Sequence, residues 1–100
     1  MEINQMQKEA DSIISLIDKK LQTSHNAEVT FTHLIEEFGE LAKQHNNKVI
    51  RKVKQDMSNI EEEIADISRL LMRLANIYGV DIEKAMLNKI QGLKKRHNIQ

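Results

Sequence analysis

The chain has no cysteine, no proline, no tryptophan, three glycines, and as aromatics only Phe31, Phe38 and Tyr78 among its 100 residues. Without cysteine there is no disulfide framework, no thiolate nucleophile and no cysteine-ligated zinc. A β-sandwich of this length needs many Gly- and Pro-rich turns between aromatic and β-branched runs, and their lack leaves an all-β fold close to excluded. The glycines, at 39, 79 and 92, lie too far apart for a phosphate-cradling loop. No stretch approaches the roughly 18 apolar residues of a membrane span, and Met1 to Gln5 carry neither a basic n-region nor an apolar h-region. A cytoplasmic address with no membrane partner is expected. Charge of one sign is lacking too: 15 Lys+Arg against 15 Asp+Glu leave a net charge of zero, which weakens a nucleic-acid partner.

What is present is 40% hydrophobic and 30% charged residues, the composition of a soluble helical protein. The length predicts one domain over residues 1–100 with a thin core. Apolar residues recur at three- and four-residue steps, the period of an α-helix. Ile3, Met6, Ala10, Ile13, Ile14, Ile17 and Leu21 predict a first helix over about residues 3–22, ended by Thr23-Ser24-His25-Asn26. Phe31, Leu34, Phe38, Leu41 and Ala42 predict a second, capped by Thr30 or Thr32 and running to about His45, where Asn46-Asn47 breaks the pattern. The basic stretch 48–57 reads as a connector. Ser58 and Glu61 have the spacing of a capping box, which predicts a third helix from there to Tyr78, with Gly79 as the left-handed residue after its end. Asp81 caps a fourth helix, whose stripe is Ile82, Met86, Ile90 and Leu93 and whose basic end, Lys94-Lys95-Arg96, suits the helix dipole.

All three aromatics fit these apolar stripes. On the third helix Ile60, Ile64, Ile67, Leu71, Leu74, Ala75 and Tyr78 share one direction, widened by Leu70, Met72 and Ile77. So broad an arc needs more than one neighbour. The expected fold class is all-α: a four-helix protomer whose long helices form a bundle with a second subunit, as a homodimer or a dimer of dimers.

Two segments repeat one text. Glu36-Glu37-Phe38-Gly39-Glu40-Leu41 and Glu62-Glu63-Ile64-Ala65-Asp66-Ile67 both read Glu-Glu-apolar-small-acid-apolar. Measured from the centre of each apolar face, Glu37 and Glu63 fall at about 300° and Glu40 and Asp66 at about 240°, with Glu36 and Glu62 near 200°. Each helix therefore holds an i, i+3 acidic pair at the edge of its buried stripe. If the two edges face each other, four carboxylates converge, and they cannot stay ionised together without a counter-charge. A hard divalent cation, magnesium before manganese, resolves that conflict and can share substrate phosphates. Di-iron chemistry is excluded, because no Glu is followed three residues later by His. His33, one turn before Glu37, lies on the same acidic flank.

These residues resemble the MazG-like family of all-α nucleoside triphosphate pyrophosphohydrolases, whose signature is Glu-Glu-x-x-Glu, a variable spacer, then Glu-x-x-Asp. Here it reads Glu36-Glu37-Phe38-Gly39-Glu40, then residues 41–62, then Glu63-Ile64-Ala65-Asp66. The similarity continues through Leu70 to Ala75, the Tyr78-Gly79-Val80-Asp81 turn and Ile82-Glu83-Lys84-Ala85. It implies hydrolysis of nucleoside triphosphates to monophosphate and pyrophosphate, with Glu37, Glu40, Glu63 and Asp66 as magnesium ligands. Glu36 would orient or deprotonate the attacking water, or else form a salt bridge to the basic connector. Lys89 and Arg96 match positions where the family places basic residues and, with His33, would bind the triphosphate. The sequence departs from the family at Leu93, where asparagine is frequent, and at His97-Asn98, where Tyr-Pro is frequent. Acidic residues at a stripe edge can also be merely solvated or paired with Lys and Arg, so a non-catalytic dimerisation or adaptor module is the alternative.

Overall fold

The computed structural model describes residues 2–100, which form four α-helices and, among the described residues, no strand: α1 Ile3–Leu21, α2 Ala27–Val49, α3 Met57–Tyr78 and α4 Ile82–Arg96. The all-α expectation holds, and the differences lie at helix ends. α2 starts before Thr30, because Asn26 Oδ1 accepts from the Val29 N–H at 2.9 Å, and asparagine caps better than threonine. Thr30 is instead buried, its hydroxyl donating to the Asn26 carbonyl at 2.7 Å. At its other end α2 runs through Asn46-Asn47. The Asn46 carbonyl accepts from the N–H groups of Ile50 and Arg51, at 2.8 and 3.1 Å, so the asparagines close the last turn instead of breaking it. The connector shrinks to residues 50–56. The cap of α3 is Asp56, whose Oδ1 accepts from the Ser58 and Asn59 N–H groups at 3.0 and 3.3 Å, which places Ser58 and Glu61 inside the helix. Gly79 at φ 67° ends α3 and Asp81 caps α4, both as the sequence predicts.

α2 and α3 form the body of the protomer. Gln44 meets Asp56, Glu37 meets Glu63, and Leu34 packs with Ile67 and Leu70, so the two helices run antiparallel. Leu41 and Leu74 extend this core. α1 lies on α3, tied by the Arg73–Asp11 ion pair, and Arg73 Nε also donates to the carbonyl of His25, in the α1–α2 turn, at 2.9 Å. The turn into α2 is gathered on Asp18, which accepts from the Thr23 hydroxyl at 2.7 Å and the His25 N–H at 3.1 Å. α4 leans chiefly on α1 and buries none of its own residues.

The aromatics depart from the expected core positions: Phe31, Phe38 and Tyr78 are 46%, 52% and 64% exposed. They stand at the exposed edge of the apolar stripes of α2 and α3, beside the seam that holds Leu34 and Leu70. Ile35, Ile64 and Leu71 are exposed with them. The radius of gyration is 16.4 Å, against about 13 Å for a compact domain of this length.

Candidate functional site

The antiparallel seam of α2 and α3 brings Glu37, Glu63 and Asp66 together. Each is half-buried and offers a carboxylate oxygen within 4.8 Å of the other two. Glu63 Oε2 is shielded from solvent and has no hydrogen-bond partner. The Glu63 carboxyl as a whole holds its proton well above the usual range, pushed up from 4.5 to about 7. A hydrogen bond with Glu37 is the largest cause, followed by loss of water and by the negative charges of Glu37, Asp66 and Glu40. A cation placed there would relieve the same repulsion. The donors are all carboxylate oxygens, a hard set that suits a hard divalent ion and leaves coordination positions for water and phosphate.

Asp66 has a second partner, Arg69, whose Nη2 lies 3.2 Å from its Oδ1. Both side chains are about 40% exposed, so solvent screens this i, i+3 pair and it contributes little. Glu40 is exposed and stands outside the trio, although its charge still reaches Glu63. Helix direction explains why Glu40 and Asp66 do not meet each other. From the Glu37–Glu63 pair, a step of three residues moves about 4.5 Å along each axis, and because the helices are antiparallel Glu40 and Asp66 move in opposite directions. The expected convergence of four carboxylates is thus a cluster of three with a fourth beside it.

Glu36 is exposed and forms no salt bridge among the described residues, so the expected alternative of a pair with the connector is not seen. His33 is half-buried, its ring meeting that of His25 edge-on with centroids 5.3 Å apart. His25 in turn bonds Asp18 through Nδ1 at 2.7 Å. Lys89 and Arg96 are exposed and line one shallow depression of about 170 Å³ on α4, with Asn88, Gly92 and Leu93. Neither pairs with an acid among the described residues. The structure groups these two cations with each other, on a helix that leans on α1 and not on the carboxylate seam. Sequence reasoning passed over Gln7, which is buried at the junction of α1, α3 and α4. Its signal was a lone amide in the apolar stripe between Ile3 and Ile14.

The model of the MazG nucleotide pyrophosphohydrolase domain matches residues 25–99, which comprise α2, α3 and α4 and leave α1 outside. No curated protein and no solved structure gives a significant match. Pyrophosphohydrolases of this type generally use a divalent metal, in keeping with the Glu37–Glu63–Asp66 cluster. The chain belongs to the MazG nucleotide pyrophosphohydrolase domain family.

Proposed function

We propose that the protein is a magnesium-dependent nucleoside triphosphate pyrophosphohydrolase of the cytoplasm, working on ribo- or deoxynucleoside triphosphates, with manganese able to replace magnesium. The observation that carries this reading is the shielded, unpartnered Glu63 oxygen set among three carboxylates in a chain of this family. When bound, the divalent ion supplies charge neutralisation of the triphosphate and lowers the pKa of a bound water. Glu37, Glu63 and Asp66 hold it, and Glu40 joins them from the edge of the cluster. Glu36, exposed and unpaired, orients the attacking water and takes its proton. Water adds to the α-phosphorus, the bond to the bridging oxygen of the β-phosphate breaks, and pyrophosphate leaves with the electron pair. Lys89 and Arg96 bind phosphate oxygens, and His33, one turn before Glu37 on α2, is a further phosphate contact.

The same proposal includes a homodimer. Its support is the exposed apolar surface of α2 and α3 together with the expanded dimensions of one chain. A second copy also accounts for cations that lean away from the carboxylates of their own chain.

The test is pyrophosphate release from a panel of ribo-, deoxy- and damaged nucleoside triphosphates. Pyrophosphate without orthophosphate, abolished by chelator, is the expected result. Silence across the panel with both magnesium and manganese overturns the reading in favour of a non-catalytic helical module.

A further inference from the structure

Gln7 is 6% exposed, in a core that is otherwise almost wholly aliphatic, and it precedes the span that the family model matches. Its amide is fully used. Nε2 donates to Asn76 Oδ1 at 3.0 Å and to the Val80 carbonyl at 2.7 Å, while Oε1 accepts from the Ile82 N–H at 3.0 Å. Asn76 returns a bond from its Nδ2 to the Gln7 carbonyl at 3.1 Å. One side chain thus grips the last turn of α3, the turn itself and the first turn of α4. An aliphatic side chain would fill the same space but would leave Asn76 Oδ1, the Val80 carbonyl and the Ile82 amide without the partners that Gln7 provides. It would also give up the directional bonds that fix the angle between the helices.

That angle matters because α4 has little else to hold it. None of its residues is buried, and it leans chiefly on α1. Lys89 and Arg96 lie about 10 and about 21 Å along the helix from Ile82, so a swing of about 20° at the root displaces them by about 4 and about 7 Å. Displacements far smaller than this disable charged contacts to a reacting group.

We propose that Gln7 is a positioning residue for triphosphate binding: its amide sets the departure of α4 and so places Lys89 and Arg96. This rests on the reading of Lys89 and Arg96 as phosphate ligands. The test compares the full-length protein with Gln7→Met, using magnesium tripolyphosphate as a binding probe that needs no turnover. Affinity for the probe is expected to fall at least about tenfold and KM for a triphosphate to rise by a similar factor, with kcat within about twofold. Manganese affinity at the carboxylates should stay unchanged, while the Ile82 amide exchanges faster with solvent.

Unchanged probe affinity and KM with a loosened Ile82 amide overturn the proposal. So does a joint fall of manganese affinity, kcat and probe affinity, which marks Gln7 as merely structural. A wild type that turns over no nucleotide, yet loses probe affinity on Gln7→Met, defeats the hydrolase reading and leaves the positioning role standing. A wild type that does not bind the probe defeats both. If Gln7→Met does not fold, a glycine inserted between Val80 and Asp81 loosens the same joint without touching the α1–α3 packing. It is expected to raise KM in the same way, and an unaltered KM then overturns the proposal.

Discussion

If Glu63 holds the divalent ion as proposed, a proton and that ion compete for its carboxylate. The folded protein holds that proton to about pH 7, whereas the unfolded chain releases it near 4.5. The folded state therefore binds it more tightly, and the stability this confers is complete below about pH 4.5 and lost as the pH rises to about 7. The metal-free protein is expected to show a falling thermal midpoint between pH 5 and pH 7.5. Glu63→Gln should flatten that slope, since its amide needs no proton, and millimolar magnesium should restore the wild-type midpoint at pH 7.5 but not that of the variant. An equal pH slope in wild type and Glu63→Gln would remove the cluster as its source. Turnover separates the carboxylates by place. Glu37→Gln and Asp66→Asn, within the cluster, are expected to lower kcat/KM at least about 100-fold, and Glu40→Gln, at its edge, by about tenfold. Equal losses at all three positions would mean that Glu40 stands with the others when the ion is bound.

The helices themselves were largely legible from periodicity, because α1, α3 and α4 each carry a clear apolar stripe and begin or end at residues whose chemistry has one use. Gly79 and Asp81 are such residues. The ends of α2 were not legible, since asparagine can stop a helix or close its last turn, and only the neighbouring Ile50 and Arg51 amides decide which. At the start of α3 the sequence pointed to Ser58, but Asp56, two residues earlier, takes the cap by accepting two amides at once. Asp56→Ala is accordingly expected to cost about 1 kcal/mol and Ser58→Ala less than about 0.5 kcal/mol, read from urea unfolding midpoints. The reverse order would restore Ser58 as the cap. The carboxylate site was legible as far as helix-wheel angles reach. Those angles say which acids share an edge, but not that antiparallel pairing sends Glu40 and Asp66 in opposite directions. Gln7 was invisible for a related reason. An amide in an apolar stripe is informative only once Asn76, Val80 and Ile82, distant in sequence, are seen around it.

Taken whole, one chain leaves too much apolar surface in water. Met57, Ile64, Leu71 and Tyr78 are spaced by seven along α3 and all exposed, and Phe31, Ile35 and Phe38 continue the face onto α2. A seven-residue repeat is the pattern by which one helix packs along another, and a two-fold axis lets the same stripe serve both partners. In the proposed dimer such symmetry would double the effect of any substitution. Leu71 is 47% exposed, so a partner has about half of its side chain left to cover, about 1 kcal/mol per subunit and about 2 kcal/mol per dimer. Leu71→Ala is therefore expected to weaken self-association about 30-fold, and Leu71→Glu, which would bring two carboxylates to the axis, by considerably more. Leu16, 67% exposed on α1, is the control: it lies outside this face, and Leu16→Glu should leave the association unchanged. Sedimentation equilibrium over a dilution series reads both. If Leu71→Glu leaves the dimer intact while Leu16→Glu dissociates it, the face of α1 is the interface and the bundle of α2 and α3 is not. Turnover measured along the same dilution series adds the functional arm, because a site that draws Lys89 and Arg96 from the second copy should lose triphosphate affinity in step with dissociation.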